Sequence, residues 1–412
     1  MMLFLSNFKS TVLLWFLVLA TCGNDTKVVA NNSPTQDEPK IEVQEKEIVV
    51  AANRTKAYLP FLKDKKIAIV ANQTSVIFKP DGYTHLVDSL LSLYVDIKQV
   101  FAPEHGFRGN FDAGEHVKNS TDTKTGLELI SLHGKNRKPT QEQLEGLDLV
   151  LFDIQDVGVR FYTYISTLQL VMEACAEKGI PVLVLDRPNP NGHYIDGPTM
   201  EAEHTSFLGM TQIPLVYGMT IGEYANMINA EMWLEGDKKA DLTVIPLENW
   251  SHDCFYSLPI RPSPNLPNDT SITLYPSLGL FEGTNINAGR GTEFQFQSYG
   301  ASFLDSTAYD FSYTPKPNFG SKYPKEEGKL CYGKDLSSTK RMNQMTMEYI
   351  IDAYTHSVDK SKFFLTSGFT KHAGNDRLQK QIEAGATNAE IKASWQDDIE
   401  KFKKIRAKYL LY

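Results

Sequence analysis

Glu104 and His105 stand side by side in the stretch FAPEHGFRGN, residues 101–110, between Pro103 and Gly106. A turn calls for Pro and Gly, but not for a carboxylate beside an imidazole. Arg108 follows, and a second such pair, Glu115–His116, comes after Gly114. If the intervening loop folds back, two carboxylates face one cavity. That pairing suits cleavage of a glycosidic bond: one group protonates the departing oxygen, while the other attacks, activates water or supports the cationic sugar. The acid must have its pKa raised by burial or by neighbouring negative charge. Sequence spacing does not say which Glu this is, or whether the outcome is retention or inversion. Glu104, His105, Asp112, Glu115 and His116 also offer oxygen and nitrogen donors for a metal. They lack the H-E-x-x-H spacing that puts two His on one helix face, so the expectation is no metal and no cofactor, with His105 orienting Glu104.

Further along, Arg160 precedes Phe161, Tyr162 and Tyr164 in QDVGVRFYTYIST. A guanidinium there can fork onto a ligand carboxylate while ring faces pack on sugar carbons. The alternative is an internal pair with Asp153 or Asp156. Gln155 and Asp186 end other apolar runs, and Asp186 either faces a site or caps its loop. In YPSLGLFEGTNINAGRGT (275–292), Gly279, Gly283, Gly289 and Gly291 bracket Glu282 and Arg290. Such glycines either bring backbone close to a ligand or make tight turns.

The elements that must position these residues are legible as short apolar runs at 65–74, 96–106, 147–156, 180–190 and 241–249. They are rich in Val, Ile and Leu without clean alternation, as in strands buried on both faces. Between them, Ile165, Leu168, Met172 and Cys175 share a helical face. Thr220 and Glu223 form a capping box ahead of another apolar stripe. Alternating strands and helices predict an α/β, Rossmann-like doubly wound parallel sheet, with ligands beyond the carboxyl ends of its strands. Neither a G-x-G-x-x-G turn nor a P-loop is present. The Pro-rich run 257–269 reads as a linker or crossing, and 389–412 as one helix.

With 412 residues the chain is long enough for two ordinary domains, and its net charge of −8 argues against a nucleic-acid partner. Residues 1–21 read as a signal peptide ending at Cys22, and Leu19-Ala20-Thr21-Cys22 resembles a lipobox. Residues 22–48 read as a flexible tether, 49–256 as the Rossmann-like catalytic domain and 257–412 as the domain that completes the cleft. The expected location is the periplasm or cell envelope, with a lipid anchor at Cys22. Cys175, Cys254 and Cys331 then allow at most one disulfide and no metal site, with Cys175 in the core.

Several motifs together carry a resemblance. FAPEHGFRG, Gly114-Glu115, LVLFDIQDVGVRFYTYISTL, VLDRPNPNG, Gly197-Pro198-Thr199-Met200, YPSLGLFEGTNINAGRGT and the terminal YLLY resemble the exo-β-N-acetylmuramidases of glycoside hydrolase family 171. The resemblance spans about residues 55–412. It implies release of N-acetylmuramic acid from non-reducing ends of peptidoglycan fragments, in a cleft between a Rossmann-like domain and a smaller α+β C-terminal domain. On that reading Glu104 and Glu115 are catalytic. His105, Arg108, Gln155, Arg160, Tyr162, Asp186, Glu282 and Arg290 bind substrate, a muramyl saccharide whose lactyl carboxylate calls for a local Arg. A sugar-binding lipoprotein of the solute-receptor type, which binds without turnover, is the alternative, and a metal-dependent hydrolase is a third reading.

Overall fold

The structure is a computed structural model that describes residues 46–109 and 119–412, and Lys46–Tyr412 forms one compact unit. The signal-peptide and Cys22 readings, the tether up to residue 45, and Asp112, Glu115 and His116 lie outside the described residues.

The strands in chain order are β1 Lys66–Ala71, β2 Val76–Lys79, β3 Gly82–His85, β4 Asp96–Ala102, β5 Ser120–Thr121, β6 Glu128–Ser131 and β7 Leu149–Asp153. They continue as β8 Val182–Leu185, β9 Asp196–Thr199, β10 Pro214–Val216, β11 Leu242–Ile245, β12 Ser298–Ala301, β13 Phe311–Tyr313 and β14 Cys331–Asp335. The helices are α1 Thr55–Leu62, α2 Leu86–Ser92, α3 Tyr164–Lys178, α4 Ile221–Ala230, α5 Asp269–Leu278, α6 Glu348–Thr355, α7 Thr366–Ala373, α8 Arg377–Glu383, α9 Asn388–Ala393 and α10 Gln396–Arg406.

Seven strands form the central sheet, in the order β11-β8-β7-β1-β4-β6-β5. All pairings are parallel except that of the edge strand β5 with β6. All five apolar runs became strands of this sheet. Every residue of β7 and β8 is buried, because helices cover both faces. From β1 the chain moves outward to β4 and β6; from β7 it moves the other way through β8 to β11. β1 and β7 are neighbours with diverging connections, so their carboxyl ends border the crevice where such sheets hold ligands. A smaller C-terminal domain carries an antiparallel sheet, β12-β14-β13, and the helices α6 to α10.

Local signals explain the main boundaries. The Thr220–Glu223 capping box starts α4, and α3 ends at Gly179 in the left-handed conformation. The expected single C-terminal helix is instead two, α9 and α10. Trp395 stands at the break, where its indole N–H donates to Asp196 Oδ1 at 3.0 Å. Ile391, Trp395, Ile399 and Phe402 are still all buried. The Pro-rich run is no free linker, since Pro262–Leu266 is buried. Cys175 is in the core, where burial pushes its thiol up to about 12.

At the carboxyl ends of β7 and β8, Asp153 and Arg187 make a bidentate ion pair at 2.6 and 2.8 Å, both almost completely buried. Such a pair is well made only as a pair: one partner alone leaves an uncompensated charge in the core. Arg187→Ala is therefore expected to lower unfolding stability by about 3–5 kcal/mol in urea titration. The double variant Asp153→Leu/Arg187→Met is expected to recover most of that loss.

Candidate active site

Pro103 follows β4 and opens a four-residue turn closed by the Gly106 N–H donating to Pro103 O at 3.0 Å. His105 occupies its third position with φ of 72°, a left-handed conformation in which Gly or Asn is usual. The turn presents Glu104 and His105 to a cavity of about 160 Å³. Its walls include Phe161, Tyr162 and Tyr164 after β7, Leu208 between β9 and β10, Ser263 and Asn265 on the Pro-rich run, and Tyr275, Glu282, Arg290, Phe296 and His372 from the C-terminal side. His105 is buried, with Nε2 3.2 Å from Ser263 Oγ. Tyr162 donates its hydroxyl to Pro262 O at 2.6 Å, so it contributes a ring face rather than a polar group. Its ring meets Tyr164 and Tyr275 edge-on, and Tyr275 meets Phe296 at 4.9 Å. These rings make an apolar wall that suits the carbon face of a sugar.

Glu282 and Arg290 form the charged wall. Arg290 Nη1 donates to Glu282 Oε2 at 3.1 Å, with both side chains about a quarter exposed or less (26% and 21%). Burial alone would raise the Glu282 pKa, but Arg290, Lys325 and His372 outweigh it and hold the carboxyl below its ordinary value. Lys325 donates to the carbonyls of Phe281, Glu282 and Thr284 at 2.7–3.0 Å, closing the turn that carries Glu282. The glycines here serve packing rather than a ligand. A Cβ on Gly279 would lie 2.4 Å from the Phe161 ring, and one on Gly283 2.4 Å from Phe369 Cα.

The other expected binding residues are engaged elsewhere. Arg160 is wholly buried and does not line the cavity; it donates to the carbonyls of Pro198, Ile213, His372 and Ala373 at 2.8–3.0 Å. It pairs with neither Asp153, which belongs to Arg187, nor Asp156, whose partners are Gly158 N and the Tyr217 hydroxyl. Arg108 is held by Asp122 at 2.8 and 3.0 Å and by Asp88 at 3.3 Å. Gln155 donates to Asp156 O and Pro188 O, tying two loops together. Asp186 accepts from Thr220 Oγ1, Gly222 N and the Tyr412 hydroxyl at 2.7–2.8 Å, and so anchors the start of α4 and the chain's last residue. Burial pushes its pKa up to about 7. Of the expected site residues described, the cavity gathers Glu104, His105, Tyr162, Glu282 and Arg290.

Models of the exo-β-N-acetylmuramidase NamZ family match the chain almost throughout, the N-terminal one over residues 67–270 and the C-terminal one over 273–412. The chain belongs to this family. It is 39% identical over 380 residues to the peptidoglycan β-N-acetylmuramidase NamZ of Bacillus subtilis, covering 86% of this chain and 89% of that one. A crystal structure of a DUF1343 family protein from Bacteroides fragilis superimposes with a TM-score of 0.81 at 43% identity, covering 89% of this chain and 99% of its own. A second from the same organism gives 0.72 at 26% identity, with the same coverage.

A larger hollow, about 870 Å³, lies at the opposite edge of the sheet, lined by Lys63, Lys66, Tyr94, Asp96 and Asp148 among others. Of its three carboxylates, Asp64, Asp96 and Asp148, Asp96 is paired with Lys98 and Asp148 accepts from the Lys66 backbone, and among the described residues no aromatic wall or arginine lines it beside them. Site chemistry, not size, therefore picks the smaller cavity. Among the described residues, one trio has metal-ligand proximity, Glu201, Glu203 and His204, and it is not part of the cavity wall. Sequence reasoning missed Ser263, Lys325 and His372, which lie far from Glu104 in sequence; Ser263 sits in a run read only as a linker or crossing, and the other two in no motif.

Because Glu282 has a lowered pKa when folded, the unfolded chain takes up its proton first as pH falls. Its stabilisation is full above the ordinary value of 4.5 and is lost as pH drops through the lower folded value. Glu282→Gln is expected to flatten the fall in unfolding midpoint below pH 4.5; an unchanged acid slope contradicts the ion-pair description.

Proposed function

We propose that this protein is an exo-acting glycosidase that releases N-acetylmuramic acid from the non-reducing ends of peptidoglycan fragments, in cell-wall turnover or recycling. Membership of the exo-β-N-acetylmuramidase family supports this. One observation carries it: a single cavity joins Glu104, on its left-handed turn, to the Glu282–Arg290 pair and an aromatic wall. Glu104 acts on the glycosidic oxygen, His105 and Ser263 hold its turn, and Glu115 is the partner carboxylate. The Tyr275 and Phe296 rings take the carbon face of the sugar. Arg290 takes the lactyl carboxylate, because it lines the cavity, whereas Arg108 and Arg160 do not and are held outside it. Export with a lipid anchor on Cys22 places the enzyme in the envelope, where wall fragments arise.

Turnover of a chromogenic N-acetylmuramic acid glycoside tests the reading. Glu104→Gln is expected to lower kcat by roughly 10²–10⁴-fold with little change in KM. Wild-type turnover in that variant removes Glu104 from catalysis, and ligand binding without any turnover in the wild type favours the solute-receptor alternative. Arg290→Met is expected to cost roughly 10- to 100-fold in kcat/KM for the muramic acid glycoside. It is expected to cost far less for the N-acetylglucosamine glycoside, which lacks the lactyl group; equal losses place the carboxylate elsewhere.

A further inference from the structure

His372, on the last turn of α7, lines the cavity and belongs to none of the motifs above. Its Nδ1–H donates to Gly368 O, one turn back, at 2.8 Å. With the proton on Nδ1, Nε2 carries the lone pair, and it has no hydrogen-bond partner among the described residues. Burial is the largest influence on the ring and holds its pKa below the ordinary value. Lys325 and Arg160 push the same way, against the Gly368 bond and Glu282. At neutral pH the ring is uncharged, and Nε2 is an acceptor only.

The ring cannot easily turn away. Phe161 packs against it, with centroids 5.4 Å apart. Arg160 Nη2 donates to the carbonyls of His372 and Ala373, which end α7. Gly374 follows with φ of 86°, and a Cβ there would sit 2.7 Å from the same nitrogen. The other side of α7 lies directly on the turn that carries Glu282, where Leu365 N donates to Gly283 O at 2.9 Å. The helix is thus fixed to both walls, and the side chain that carries the unpartnered acceptor lines the ligand space.

We infer that His372 Nε2 accepts a hydrogen bond from the ring hydroxyl through which the glycan chain would otherwise continue, making His372 a specificity-determining residue for chain ends. The inference rests on the glycosidase reading. At a non-reducing end that oxygen carries a proton. Inside a chain it is a glycosidic ether with only lone pairs, which meet the lone pair of Nε2 unfavourably and leave it unsatisfied. The nitrogen thereby gives the cavity a chemical means of selecting chain ends.

The test uses the muramic acid glycoside and its analogue deoxygenated at the linkage position, with wild type, His372→Leu and His372→Gln. The wild type is expected to lose roughly 10- to 100-fold in kcat/KM on the deoxy analogue. His372→Leu is expected to lose a similar factor on the parent, mostly through KM, and to treat both substrates alike. His372→Gln, whose amide oxygen can stand near the site of Nε2, is expected to recover to within about tenfold of wild type. A wild type indifferent to the deoxygenation overturns the inference and leaves the glycosidase reading standing. So does a His372→Leu variant that discriminates as the wild type does. A collapse of kcat in His372→Gln at unchanged KM assigns the ring to proton transfer and also overturns it. Absence of turnover of the parent by the wild type overturns the glycosidase reading and the inference together.

Discussion

Arg160 is a buried cation with no carboxylate partner among the described residues; four main-chain carbonyls hold it instead. Burial lowers its pKa to about 9, yet the group stays charged at neutral pH. Removing a cation from water costs several kcal/mol, and carbonyl bonds to a charged donor contribute about 1.5–3 kcal/mol each. The arrangement is sound only if all the carbonyls arrive together. They come from the segments around β9 and β10 and from the end of α7, while Arg160 itself belongs to the loop after β7. One guanidinium thus joins the catalytic sheet to the helix that carries His372. It also fixes the backbone from which Phe161 and Tyr162 reach into the cavity.

The polar groups at the carboxyl edge of the sheet follow the same logic. Asp153 holds Arg187, Gln155 bridges two loops, and Asp186 anchors α4 and Tyr412. They make a rigid floor for a site that they do not enter. Glu104 and His105 differ because their turn projects them out of this lattice. The left-handed φ at His105 is strained backbone maintained by its surroundings, the kind of outlier that accompanies functional sites.

The sheet was legible in the sequence because each of its long strands is a short apolar run bounded by polar residues, and a period-free apolar run has few other fates in a chain of this composition. The Glu104 turn and the capping box at Thr220 were legible because their signals are local. The sequence left Arg160 open between a ligand and an internal partner because an Arg among aromatics looks the same whether its partners are a ligand carboxylate or carbonyls some 40 to 210 positions away. Asp186 was open for a related reason: a strand-end carboxylate can serve a substrate or a helix start, and its bonds to Thr220, Gly222 and Tyr412 appear only in three dimensions. His372 had no signal at all, since SGFTKHAGND matches no motif and its meaning depends on Gly368, Arg160 and Glu282. The break between α9 and α10 escaped notice because the buried stripe continues across it; only the bond from Trp395 to Asp196 marks the place.

The central claim is that the ligand cavity is the space enclosed by Glu104, Arg290, His372 and the Tyr275–Phe296 wall, on a scaffold that Arg160 holds closed. A crystal structure with N-acetylmuramic acid bound tests this most directly. The account predicts the sugar in that cavity, its carboxylate on Arg290, a ring hydroxyl on His372 Nε2, and Arg160 still bonded to its four carbonyls. A sugar seated in the lysine-lined hollow at the far edge of the sheet, or an Arg160 swung out to meet the carboxylate, contradicts it.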